Sequence, residues 1–178
     1  EWSPAVAISH ATTQDFSLNV AAVSLGAWNR IELSFARQRF DAGSVVPGLT
    51  LGQDIVGVKL RVAGDAIFDG DRRWPQLSIG AQHKKTRDFD FIPSAVGAER
   101  DSATELYVAA TKLYFAALVD RDVIVNATLR RTDANQYGLL GFGGPARDSA
   151  AWKPELSVGI WPHERVLVDV EYRDKSDG

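Results

Sequence analysis

Arg165-Val166-Leu167-Val168-Asp169-Val170-Glu171-Tyr172-Arg173 is the stretch that decides the fold. Successive side chains of a β-strand point to opposite faces, so Val166, Val168, Val170 and Tyr172 share one side while Asp169, Glu171 and Arg173 share the other. The same two-residue period recurs upstream. In Arg30 to Gln38, Ile31, Leu33 and Phe35 oppose Glu32, Ser34, Ala36 and Gln38. Gln53 to Val62 sets Val56, Val58, Leu60 and Val62 against Gln53, Gly57, Lys59 and Arg61. Asp122 to Thr132 sets Val123, Val125, Ala127 and Leu129 against Asn126, Thr128, Arg130 and Thr132.

Weaker alternation covers Trp2 to Ser9, Phe16 to Leu25, Gln76 to Lys84, Glu105 to Ala116 and Glu155 to Ile160, giving nine expected strands. Helical periodicity competes nowhere. Ala103 to Leu118 has helix-forming composition, but Tyr107, Val108, Tyr114 and Phe115 favour a strand. Connections expected to be tight lie around Gly26 to Asn29, Asp69 to Arg73, Val119 to Arg121 and Pro162 to Glu164. They alternate with long ones at Asp41 to Leu51, Arg87 to Ser102 and Asp133 to Lys153; His10 to Gln14 joins the long set by count. An up-and-down sheet with such alternation sends every long connection to one end, which in outer-membrane barrels is extracellular. Trp28, Trp74 and Trp161 fall beside tight turns and Phe115 just before another. Gathered at one level, these aromatics would form an interfacial girdle; capping of a soluble core is the competing explanation.

Composition sets the outer limits. The 20 Lys and Arg nearly balance the 23 Asp and Glu, and no basic run marks a nucleic-acid footprint. Cysteine is absent, which excludes disulfides and thiolate chemistry. No stretch of about 18 apolar residues occurs to make a membrane helix, and Glu1-Trp2-Ser3-Pro4 is not a signal peptide. Mean hydropathy of -0.14 fits a soluble protein and a transmembrane barrel equally, because only alternate residues of a barrel face lipid.

Motifs for chemistry are weak. His10, His83 and His163 stand alone, without metal-ligand spacing. Asp65, Asp69 and Asp71 make an acidic turn without the ligand series of a Ca²⁺ loop. Gly138 to Gly144 lacks the Lys-Ser or Lys-Thr of a phosphate loop, and reads as a long loop whose Leu139, Leu140 and Phe142 pack on something, folding inward as a constriction. Asn126-Ala127-Thr128 matches a glycosylation sequon only through strand alternation. No catalytic residue, metal ligand or cofactor is expected.

The polar faces are more informative. Glu32, Lys59, Arg61, Lys84, Lys112, Arg130, Asp169, Glu171 and Arg173, with Gln38, Gln82 and Asn126, are the candidates to line a lumen. Cations outnumber anions among them, so a channel would lean toward anions.

Four blocks carry a family resemblance. They are Arg30-Ile31-Glu32-Leu33-Ser34-Phe35-Ala36-Arg37-Gln38-Arg39-Phe40-Asp41, Gln53-Asp54-Ile55-Val56-Gly57-Val58-Lys59, Ala109-Ala110-Thr111-Lys112-Leu113, and Ala134-Asn135-Gln136-Tyr137-Gly138-Leu139-Leu140-Gly141-Phe142-Gly143-Gly144. Together they resemble a family of proteobacterial exported proteins known only as domain of unknown function 3034. The resemblance implies an all-β, barrel-like outer-membrane protein, normally longer at both ends, and supplies no functional residue.

The expectation is therefore an all-β protein: an antiparallel up-and-down barrel of outer-membrane type, one domain over residues 1–178 and incomplete at both ends as the resemblance implies, with at least one strand missing because bacterial single-chain barrels have even strand numbers. It would be structural or pore-forming in a Gram-negative outer membrane, with lipid and small ions or solutes as partners, no nucleic acid and no enzymatic activity. The rival is a soluble secreted barrel or sandwich whose apolar faces point inward around a small apolar ligand. A third reading, an outer-membrane enzyme with its site in the loops, lacks a nucleophile-base pair.

Overall fold

The computed structural model describes residues 2–69, 73–90, 92–95, 97–144 and 149–174. Within them nine strands form one antiparallel sheet in sequence order. They are β1 (Trp2–Thr12), β2 (Ser17–Ala27), β3 (Ile31–Asp41), β4 (Thr50–Ala63), β5 (Gln76–Thr86), β6 (Ser102–Leu118), β7 (Arg121–Thr132), β8 (Ala151–His163) and β9 (Val166–Arg173). The meander curls into a half-barrel. Each expected strand is present, most of them longer than the alternation alone indicated.

Register joins the alternating segments into two different surfaces. Ile31, Leu60, Ile79, Val108 and Leu129 lie side by side across β3 to β7. One residue along, Glu32, Lys59, Gly80, Tyr107, Arg130 and Lys153 form the neighbouring row across β3 to β8 on the opposite face. The apolar rows are the exposed ones: Val56 is 54%, Val58 44% and Val170 72% accessible. The polar rows are covered near the end of the sheet that carries the long connections, with Gln53 fully buried and Glu105 and Thr86 at 1%. Curvature explains this, because long side chains on the concave face reach over an intervening strand. Arg130 on β7 donates to Gln82 on β5 at 2.8 Å across Tyr107 of β6. Tyr107 in turn lies opposite Gly80, where any Cβ would overlap its ring, so the missing side chain makes room for the aromatic.

The connections sort by end. Those after β1, β3, β5 and β7 lie at one end; those after β2, β4, β6 and β8, together with Trp28, Trp74, Phe115 and Trp161, lie at the other. Trp2 joins this second set, its ring 5.6 Å from that of Trp28. The turn after β2 places Trp28 and Asn29 at φ 52° and 53°, closed by Arg30 N–H donating to the Ala27 carbonyl at 3.0 Å, which is the primed geometry that matches strand twist.

One connection departs from expectation. Asp69 to Arg73 is not a tight turn, because β4 ends at Ala63 and β5 starts at Gln76. Asp65 organises the first part by accepting the N–H groups of Ile67 and Phe68, both at 3.0 Å. Asp71 and Arg72 fall outside the described residues.

The turn after β6 generates a test. Val119 and Asp120 sit at φ 50° and 56°, and Val119 is 86% exposed, so a β-branched residue occupies a left-handed position without packing in return. Val119→Gly should stabilise the fold by about 1 kcal/mol, measured by chemical denaturation followed by tryptophan fluorescence.

Candidate functional site: the charged inner wall

The concave face between β5 and β9 holds a connected set of ion pairs. Glu105, carried by β6, accepts from Lys84 of β5 at 2.8 Å and from Arg130 of β7 at 3.2 Å. Thr132 Oγ donates to the other oxygen of Glu105 at 2.6 Å. Arg130 grips Glu155 of β8 with Nε at 2.7 Å and Nη at 3.2 Å, a two-point contact that fixes the guanidinium plane. That plane lies 4.9 Å from the centre of the Tyr107 ring. Antiparallel pairing places these groups: Glu105 follows Gln82 in register, and Glu155 lies between Thr128 and Arg173.

A second, more open cluster lies toward the other end. Lys59 pairs with Glu32 at 3.2 Å, and Arg61 pairs with Asp65, which also accepts from Asn29 at 3.1 Å. Burial alone would raise the Asp65 carboxyl, but the N–H groups of Phe68 and Ile67, with Arg61 and Asn29, outweigh it and lower it to about 2. The acidic turn therefore spends Asp65 on protein donors, and no cluster able to hold a metal ion occurs among the described residues.

Most of the lining candidates reach the wall. Glu32, Lys59, Arg61, Lys84, Arg130, Asp169, Glu171 and Arg173 occupy the inward rows, with Arg173 bonded to Glu171 at 2.6 Å. Lys112 does not. It lies in register with Val125, on the row of outward side chains, and its ammonium donates to the Asp69 carbonyl at 3.1 Å. Glu105 and Glu155 are the wall residues that alternation missed, each being the first residue of its expected strand. They match the cations one for one, together with Asp65 and with Asp174, which pairs with Lys153 at 2.9 Å, so the surplus of positive charge disappears.

The long connection after β7 folds inward. Phe142 is fully buried, bridged to Arg100 and Ala134. Thr86 and Lys84 on the wall donate to the carbonyls of Gly138 and Tyr137. Tyr137, Leu139 and Leu140 then face Leu18, Phe40 and Leu51 across an apolar cleft of about 420 Å³. The histidines converge on nothing: His10 and His83 bond Asn19 and Thr104 on the convex face at 2.7 and 3.1 Å, and His163 lies in the turn before β9.

Fold and wall define a class: an all-β, up-and-down, curled half-barrel with a network of ion pairs on its concave side and rows of exposed apolar residues on its convex side. Over residues 1–178 the chain matches the model of the family described as Protein of unknown function (DUF3034), and it belongs to that family. No curated protein and no solved structure matches it.

Two tests follow from the wall. Removing Glu105 leaves the buried Lys84 without a carboxylate while Arg130 keeps Glu155, so Glu105→Ala should cost about 3 kcal/mol in urea unfolding, whereas Glu171→Ala, at a half-exposed pair, should cost less than about 1 kcal/mol. Because the Asp65 pKa is depressed, its contribution is complete above about pH 4 and fades as pH falls through about 2. Hydrogen exchange should show the Ile67 and Phe68 amides protected at pH 5, unprotected below pH 2, and unprotected at both in Asp65→Ala.

Proposed function

We propose that this chain is part of a bacterial outer-membrane β-barrel that acts as a structural, ion-pair-filled barrel and not as a wide pore. One observation carries the reading: burial is inverted. Val6, Val58, Val168 and Tyr172 are open on the convex face, while Lys84, Glu105 and Gln53 are buried on the concave one. Water would impose the opposite distribution, and lipid outside a polar lumen imposes this one. The soluble, ligand-enclosing rival needs the apolar rows inside the curl, and they are outside it.

Sheet edges add a second argument. Among the described residues β1 and β9 are each paired on one side only. In a bilayer every backbone N–H and C=O needs a partner, so both edges call for further strands. First and last strands of a nine-stranded meander run in the same direction, hence an odd number of added strands closes an antiparallel barrel. Against a wide pore stands the neutralised wall, covered at one end by Tyr137 to Phe142.

Val58→Arg tests the reading. At the middle of a lipid-facing row it should cost roughly 2 to 4 kcal/mol in protein refolded into phospholipid vesicles, with Lys59→Arg near neutral. A negligible cost for Val58→Arg in vesicle-inserted protein, or a chain that folds without lipid and ignores vesicles, would overturn it.

A further inference from the structure

The convex face changes character toward the end that carries the long connections. There Arg37 stands in register with Asp54, and Asp54 with Lys85, on the outward rows. Asp54 holds two guanidinium groups at once, Nε of Arg37 at 2.7 Å on one oxygen and Nε of Arg87 at 2.8 Å on the other. Gly52 brings Arg87 into place: its carbonyl accepts the Arg87 N–H at 2.8 Å, and a Cβ there would crowd the Arg87 side chain at 3.2 Å.

Each arginine spends Nε on the shared carboxylate, and among the described residues neither uses its terminal nitrogens in a bond. Both side chains stay about half exposed, at 53% and 48%. Arg39, two residues beyond Arg37, is exposed and forms no ion pair among the described residues. Lys85 has Asp101 at 3.7 Å, and Asp88 accepts the Gly52 N–H at 3.0 Å. Arg37, Arg39, Lys85 and Arg87 against Asp54, Asp88 and Asp101 leave one net positive charge. Directly below begins the apolar surface: the Arg37 guanidinium lies 5.9 Å from the Phe35 ring, and Phe35 and Val56 are paired in the next outward row, about 7 Å away along the strands.

We propose that the Arg37–Asp54–Arg87 cluster binds the phosphate of a phosphorylated lipid in the adjoining leaflet. Planar arginine forks suit phosphate oxygens in pairs, and Asp54 sets two forks in advance so that little side-chain freedom is lost on binding. Acyl chains of that lipid run down over Phe35 and Val56. A free anion would use the arginines but not the apolar rows beneath them, which is why the lipid is assigned. The proposal rests on the membrane reading above.

The test uses the full chain refolded into phosphatidylcholine vesicles, with insertion measured first by protease protection and heat-modifiable gel mobility. Phosphatidic acid and phosphatidylcholine of the same acyl chains are then compared by native mass spectrometry of the detergent-extracted protein. Wild type should prefer phosphatidic acid by about tenfold or more, and Arg37→Gln with Arg87→Gln should abolish that preference while Lys59→Gln on the inner wall retains it. Arg87→Gln alone carries the same expectation if the double variant does not fold. An inserted protein without the preference, or a double variant that keeps it, overturns the lipid site and leaves the membrane reading intact. Inorganic phosphate binding the cluster as tightly as phosphatidic acid does would show that the acyl chains add nothing, assign the cluster to a free anion and overturn the lipid assignment. A chain that never inserts overturns both.

Discussion

The structure depends on keeping one parity through eight consecutive strand pairings. Glu105 shows what that constraint protects. It meets Lys84, Arg130 and Thr132 only because β5, β6 and β7 are aligned so that Gln82 faces Glu105 and Tyr107 faces Arg130. A slip of one residue that turned Glu105 outward would bring Leu106 inward and leave the buried Lys84 without its carboxylate on the concave side. Ion pairing thus supplies less net stability than specificity: the wall excludes alternative registers more than it deepens the chosen one.

Much of this was legible in the sequence. Val166 to Arg173 and Ile31 to Gln38 alternate so regularly that strand, face and register parity follow together. Trp28 and Asn29 marked a turn that the positive φ values bear out. Where alternation lapses, legibility ends. In Tyr107 to Leu113 polar and apolar residues do not alternate, so charge alone suggests an inward Lys112, and only its pairing with Val125 places it on the outward row. Glu105 and Glu155 open their segments, where a single charge reads as a strand terminus; the missing counter-charges for Lys84 and Arg130 were the available signal. The β4–β5 connection misled for another reason. Its charged residues resemble a turn, yet the pairing runs through a bulge between Arg61 and Ala63 and stops with Ala63 opposite Leu77, which leaves a longer link.

The two sides of the half-barrel are unequal, and this bears on whether it conducts. Toward β1 and β2 the inward residues are small, Ser3, Ala5, Ala22 and Ser24 among them, whereas toward β6 to β8 they are Glu105, Tyr107, Arg130 and Glu155. Small residues leave room: a polar cavity of about 490 Å³ lies against Ser3, Ser24, Glu32, Lys59 and Arg61. Any aqueous path would follow that side, where charge is present but paired.

At the other end the same side is apolar. Leu18, Phe40 and Leu51 project inward from β2, β3 and β4, and Tyr137, Leu139 and Leu140 approach them from the connection after β7. An ion moving along the small-residue side would leave the Glu32–Lys59 pair, pass the hydrogen-bonded Gln38–Gln53 pair and enter a cleft lined mainly by apolar side chains, where narrow apolar surfaces favour dewetting over hydration. Thr86 and Lys84 hold that connection by its carbonyls, so the constriction is fastened to the wall and does not simply hang over it. The ion pairs that set register therefore also fix the apolar closure, and the two together support the filled barrel proposed above over an open one.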